Sequence, residues 1–261
     1  MINKINVDEL YQTYTDNVPF DHVIIDDFWE KSVADEIVRE MNDMPKQGMV
    51  TRYNSPLENK ITIPHWDMFS KTIYQAFTYL NSEFLDVINS ITNLYDLKPD
   101  VGLHGGGIHF HPTNGNLNLH KDYSIHPKLG MMRKLNLIIY MNPVWKEEWN
   151  GHLEFWSHNS ENNAPEVCKT KITPLFNRAI LFDVSQDGWH GLPSYTKQPD
   201  DIYRQSMAIY YMTEPDSNIE IRPKALFAPR DEQKHDEKIH ELIRSRSGMA
   251  DNNTTNTTTA N

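Results

Sequence analysis

The chain has 261 residues, 38% hydrophobic and 11% aromatic, enough to bury the core of one enzyme-sized domain. Its 36 Asp and Glu outnumber 25 Lys and Arg for a net charge of −11, so it offers no positive footprint for a phosphate backbone and nucleic acid is not an expected partner. Cys168 is the single cysteine, which excludes an intramolecular disulfide and favours a reducing compartment.

Residues 1–18 read as a polar lead-in or short helix without the basic-then-apolar pattern of a secretory signal. No apolar run is long enough for a transmembrane helix, so a cytoplasmic protein with no membrane partner is expected. In FDHVIIDDFW the β-branched Val23, Ile24 and Ile25 predict a strand followed by a turn. EKSVADEIVREMNDM sets Val33, Ile37, Val38 and Met41 at helical spacing, which predicts a helix packed outside a β core. Residues 48–60, GMVTRYNSPLENK, are rich in turn formers and read as a long loop, a setting where recognition residues often lie. Residues 66–97 return to helical spacing, with Phe69, Ile73, Phe77 and Leu80 on one stripe and Phe84, Leu85, Ile88 and Ile91 on a second.

GLHGGGIHFHP holds three histidines, His104, His109 and His111, as one candidate metal set. No glutamate follows at cupin-type spacing, where Asn114 and Gly115 stand instead, so the simpler reading is a strand entered through glycine turns. LNLHKDY alternates as a strand does, with Asn118, His120 and Asp122 on one face and Leu117 and Leu119 on the other. His120 and Asp122 can therefore close on one ion, and His190 of DGWHG can join them if the intervening strands fold back antiparallel. Two imidazoles and one carboxylate leave coordination positions open, the pattern of non-haem Fe(II) oxygenases.

Residues 123–133 read as a loop carrying His126. In KLNLIIYMN, Asn136, Ile138 and Tyr140 share a face opposite Leu135, Leu137, Ile139 and Met141. Trp145 and Trp149 bracket a polar turn at a rim, whereas Trp156 and Trp189 could border a cavity. YRQSMAIYYM sets Arg204, Ser206, Ala208 and Tyr210 on one face. An inward guanidinium needs an acid, and a free carboxylate would satisfy Arg204 bidentately, with Tyr140 as a second donor. Residues 214–230 contain three prolines and read as the chain leaving the β core. The charged segment 230–248 reads as a surface helix anchored by Ile239, Leu242 and Ile243, and the polar 249–261 as a disordered tail.

The ordered set His120-x-Asp122, GHLEFW after a YMN strand end, NRAILF, WHG and Arg204-x-Ser206 resembles the prolyl-hydroxylase-like branch of the Fe(II)- and 2-oxoglutarate-dependent dioxygenases, over roughly Phe20 to Pro215. The resemblance implies a mainly β fold with flanking helices, a double-stranded β-helix or cupin-like jelly-roll barrel. It implies one domain over 1–229, with helical support at about 28–97 and the β-helix core at about 100–215. It makes His120, Asp122 and His190 the iron ligands and Arg204 the partner of the distal 2-oxoglutarate carboxylate, beside Tyr140. Asn136 and Ser206 belong to the same cosubstrate-binding face. O2 is the second cosubstrate and ascorbate an accessory.

The resemblance points to hydroxylation of a prolyl residue in a protein or peptide, with Arg52, Tyr53 and Trp189 as candidate substrate contacts. One departure is NGHLEFW, where Asn150 stands at a position the family usually fills with glycine. Three rival readings remain: an oxygenase of a small molecule or free amino acid, a non-catalytic 2-oxoglutarate or iron sensor whose C-terminal segment binds a partner, and a zinc hydrolase. The hydrolase lacks an evident general base beside the metal. Nothing in the sequence bears on oligomeric state.

Overall fold

In the computed structural model the described residues are 1–184 and 187–248. The tail expected at 249–261 lies outside them. Helix α1 (Val7–Tyr14) and strand β1 (His22–Ile25) precede α2 (Lys31–Met41), a hairpin of β2 (Thr51–Ser55) and β3 (Glu58–Ile63), helices α3 (Lys71–Asn81) and α4 (Phe84–Thr92), and the short β4 (Lys98–Pro99). Next come β5 (Gly107–His111), β6 (Asn116–Lys121), β7 (Met132–Tyr140), β8 (Leu153–Asn159), β9 (Ala164–Ile172), β10 (Arg178–Asp183), β11 (Trp189–Leu192) and β12 (Arg204–Thr213). Strand β13 (Leu226–Phe227) and helix α5 (Glu237–Ser247) follow.

Thirteen strands form one sheet in the order β1-β10-β7-β12-β5-β3-β6-β11-β8-β9, with β2 added to β3, β4 to β12 and β13 to β6. The sheet curls on itself as a double-stranded β-helix, and no helix of the described residues is long and apolar enough to cross a membrane. Alternation explains its two faces. Leu135, Leu137 and Ile139 of β7 point outwards into a core shared with Ile73, Phe77 and Leu80 of α3 and Phe84, Ile88 and Ile91 of α4. Each such side chain contributes about 1.5–3 kcal/mol on full burial. Asn136, Ile138 and Tyr140 face the opposite way and line the interior cavity.

The structure corrects three readings of the sequence. Residues 51–63 form a hairpin rather than a loop, with Ser55 Oγ accepting from the backbone N–H groups of Leu57 and Glu58 to close its turn. The turn formers around Pro56 hid the pattern, which shows only when the window runs on to Ile63: Ile61 and Ile63 enter the core while Glu58 and Lys60 line the cavity. Residues 214–230 do not leave the barrel either, because β13 pairs with β6 and sets Phe227 against the His120 ring.

The third correction concerns Asn118. Between β11 and β6 the register runs His190↔His120 and then Leu192↔Leu117, so β6 carries one extra residue. This bulge breaks the alternation. Leu117 therefore lines the cavity while the Asn118 side chain points outwards, donating to Ala228 O and Gln233 Oε1 and accepting from Arg230 Nη1.

Candidate metal and dicarboxylate site

His120 and Asp122 come from the end of β6 and just beyond it, and His190 from β11, whose antiparallel pairing with β6 makes His190 and His120 direct partners. One donor atom from each of the three lies within 4.8 Å of the others, and no further such group occurs among the described residues. His120 Nε2 is 3.7 Å from Asp122 Oδ1, and His190 Nε2 is 3.9 Å from Asp122 Oδ2. These separations exceed a hydrogen bond, yet ligands about 2.1 Å from a common ion stand roughly 3–4 Å apart.

The donor chemistry fits a cation. His120 Nδ1 meets Asn118 O at 2.9 Å and His190 Nδ1 meets Gly188 O at 2.8 Å. A carbonyl only accepts, so each Nδ1 carries the hydrogen and each Nε2 presents its lone pair to the centre. Asp122 Oδ2 is buried without a hydrogen-bond partner. Burial works to raise the Asp122 carboxyl, but the neighbouring His190, the Arg133 guanidinium and His120 outweigh it and hold the group below its ordinary value. Burial, followed by His190, pushes His120 down to about 3, so its imidazole is neutral and able to ligate.

Across the cavity, Arg204 is buried at the head of β12. Its Nε donates to Gly151 O at 2.7 Å and its Nη2 to Tyr140 Oη at 2.9 Å. No carboxylate of the described residues pairs with this guanidinium. A buried cation held by neutral acceptors, with a cavity before it, can take an anion. Asn136, with its Oδ1 unpartnered, and Ser206 line the same cavity. Asn150 adopts φ 56° and ψ −142°, outside the αL basin and in a region that glycine enters without strain, so the NG turn keeps a glycine-type shape with an asparagine in the first position.

Of the candidate substrate residues, Tyr53 lines the cavity. Arg52 lies on the other face of β2 and donates to Pro45 O, and Trp189, neighbouring His190 on a strand, faces away, donating to His158 and packing with Leu119, Leu226 and Ala228. Trp156 packs beside it, while Trp145 and Trp149 meet edge to face. The rival histidines all line the cavity but do not converge as a donor set, and His104 sits against Tyr123 and His126.

Arg133 was not legible as a site residue. The alternation of β7 would send it outwards with Leu135, but the register between β12 and β7 slips at Tyr211/Met212 and turns Arg133 into the cavity. Its guanidinium lies 3.5 Å from the ring centres of both Tyr123 and Tyr210, its Nη2 donates to His104 O, and its Nη1 is 3.7 Å from Asp122 Oδ1. Glu58, Lys60 and Arg246 also reach the cavity.

Fold and site together present a β-barrel whose cavity holds two histidines and one carboxylate as convergent donors, with a buried guanidinium across from them. Residues 106–212 match the family model of the 2OG-Fe(II) oxygenase superfamily, and the His120, Asp122 and His190 donor set is consistent with dependence on Fe(II) and 2-oxoglutarate. Among solved structures it is similar in fold to a Pseudomonas putida prolyl-4-hydroxylase (13% identity, 79% of this chain and 100% of that one, TM-score 0.56). It is also similar to a Trichoplax adhaerens prolyl hydroxylase in complex with a hypoxia inducible factor peptide fragment (16% identity, 79% and 90%, TM-score 0.55). A third likeness is to HygX from Streptomyces hygroscopicus with nickel, 2-oxoglutarate and hygromycin B bound (13% identity, 78% and 86%, TM-score 0.53). No curated protein matches the chain.

Proposed function

We propose that this oxygenase hydroxylates a C–H bond of a prolyl residue in a protein or peptide, with Fe(II) held by His120, Asp122 and His190 and 2-oxoglutarate anchored by Arg204 and Tyr140. The observation that carries the reading is the buried Arg204, which has no carboxylate partner among the described residues and shares its cavity with three convergent metal-type donors. The bound pair supplies the oxidising chemistry: substrate C–H, O2 and 2-oxoglutarate become C–OH, succinate and CO2.

The chain's own residues bind and orient. The Asn118 and Gly188 carbonyls fix the two imidazoles, and Arg133 stands beside the Asp122 carboxylate. Tyr140 and the Gly151 carbonyl hold the Arg204 fork in place, and Asn136 offers an acceptor to the same space. The apolar Leu117, Ile138, Leu153 and Leu192 in the cavity wall limit water at its floor.

Likeness of fold to two prolyl hydroxylases supports the prolyl substrate. A small-molecule substrate is favoured by one observation: Pro223, Lys224, Ser245 and Arg246, from the segment before β13 and from α5, line the cavity of about 630 Å³, so the C-terminal part of the chain walls its mouth. That volume must also hold 2-oxoglutarate, and pockets of roughly 300–1,000 Å³ suit compact ligands.

Protein purified without oxygen and reconstituted with Fe(II), 2-oxoglutarate and ascorbate is expected to release succinate and to add one oxygen to a proline peptide, read by mass. Oxidation of small molecules alone would decide for the second reading. Absence of succinate under every condition refutes the oxygenase assignment.

A further inference from the structure

The cavity mouth carries a charge pattern unlike the rest of the chain. In a protein of net charge −11, its outer wall presents Lys60, Lys224 and Arg246 against the single carboxylate of Glu58. Glu58 is buried on β3 and takes two cations at once, Lys60 Nζ at 3.1 Å and Arg246 Nη2 at 2.5 Å. One carboxylate neutralises one of them. A clasp that merely pinned α5 to the barrel would need Arg246 alone, since Leu57, Phe227, Ile239 and Ile243 already bury that contact.

The position of Lys60 is the telling part. It lies across the hairpin from Tyr53, its ammonium 5.2 Å from that ring centre, and both residues line the cavity. An ammonium in the wall of the cavity that also holds the three donors, only partly exposed and sharing its carboxylate with a second cation, is placed to meet an anion there.

We infer that Glu58, Lys60 and Arg246 form a substrate-anion subsite, and that the oxygenase acts on a small molecule whose carboxylate or phosphate binds at the cavity mouth. This rests on the oxygenase reading in its small-molecule form. Glu58 presets the two cations so that little side-chain ordering is left for the binding step. Lys60 supplies a point charge and Arg246 a planar fork, a pair suited to either anion. The cluster also steers anions towards the mouth of a chain whose net charge of −11 repels them.

The test uses the full chain with Fe(II), 2-oxoglutarate and ascorbate. A small-molecule cell extract is split on an anion-exchange resin into a retained fraction and a flow-through. Each is assayed for succinate release above the rate without extract, and for compounds that gain one oxygen. The retained fraction is expected to stimulate release and to contain the oxidised compound. Alkaline phosphatase treatment of that fraction abolishes the stimulation if the anion is a phosphate and spares it if the anion is a carboxylate.

For the compound found, Lys60→Gln is expected to raise KM at least tenfold with a much smaller fall in kcat, and Lys60→Arg to recover most of the loss. Arg246→Gln, at a half-buried position whose partner Glu58 keeps Lys60, should raise KM severalfold with a circular dichroism spectrum like that of the wild type. Stimulation by the flow-through or by proline peptides alone overturns the inference while leaving the oxygenase intact, as does an unchanged KM in both glutamine variants. Stimulation by neither fraction while 2-oxoglutarate is still consumed overturns it too. Loss of succinate release from every mixture would instead strike the oxygenase reading itself.

Discussion

His190 stands directly across the β11–β6 ladder from His120, with the two ring centres 4.4 Å apart. Antiparallel pairing thus brings together two imidazoles that the chain separates by most of the barrel, and Asp122 completes the group from just beyond β6.

Removing either first-strand donor should empty the centre. His120→Ala and Asp122→Ala are expected to abolish 2-oxoglutarate turnover and to lose stoichiometric Mn(II) binding in calorimetry. Full turnover in the aspartate variant would contradict its assignment as a ligand.

Arg204→Ala deletes the anchor for the distal carboxylate, and loss of one partner of a buried charge pair costs about 2–5 kcal/mol. Its main effect should be on 2-oxoglutarate affinity, measured with Mn(II) in the absence of oxygen. Tyr140→Phe removes one bond to the guanidinium and should cost less, about 1.5–3 kcal/mol. Gly151→Ala deletes no polar group, but at φ 75° its Cβ would meet Trp145 at 2.9 Å and Arg204 Cδ at 3.1 Å. It should therefore also weaken 2-oxoglutarate binding, and wild-type affinity would show that the Arg204 fork tolerates displacement.

Arg133→Met keeps the length of the side chain but takes a cation away from Asp122. Partners in this outer position typically matter by about 10–100-fold in metal affinity. The variant should bind Mn(II) correspondingly less tightly while folding normally by circular dichroism. Superimposable binding isotherms would limit Arg133 to packing between its two tyrosines.

Acid should destabilise the metal-free protein. Burial first, then the neighbouring His190 for His120 and the charge of Lys60 for His109, holds both imidazoles down to about 3 from an ordinary 6.5. Unfolded, they take up protons near 6.5, so between these values the unfolded state binds more protons and stability rises with pH. Their contribution is complete above about pH 6.5 and drains as the pH falls towards 3. At pH 5 the loss should be on the order of 1–2 kcal/mol per imidazole, seen as a lower urea midpoint. Asp122, held below its ordinary 3.8, keeps its own contribution until the pH drops further. Equal midpoints at pH 7.5 and 5 would speak against neutral buried imidazoles.

Strand faces were legible wherever alternation ran unbroken. Asn136, Ile138 and Tyr140 on β7, and Arg204, Ser206, Ala208 and Tyr210 on β12, all line the cavity as their phase requires. Phase fails at a bulge, and the two bulges account for the two misread faces: Asn118 turned out of the cavity and Arg133 turned into it. The β2–β3 hairpin was hidden because turn formers occupy its tip and half of its apolar alternation lies beyond Lys60. The two residues of β13 are too few to carry any period, so the return of the chain over His120 leaves no mark in the sequence. Arg52 was drawn to the site by the resemblance of its region to a site mouth and Trp189 by its place beside His190, and neither fixes which way a strand side chain points.

The outward turn of Asn118 links two distant parts of the molecule. Its carbonyl steadies the His120 ring, while its amide grips the Ala228 carbonyl and the Gln233 side chain, 110 and 115 positions downstream. The tilt of one imidazole is thereby tethered to the far end of the described chain. Any displacement of residues 228–233 would tug on that ring without touching the cavity at all.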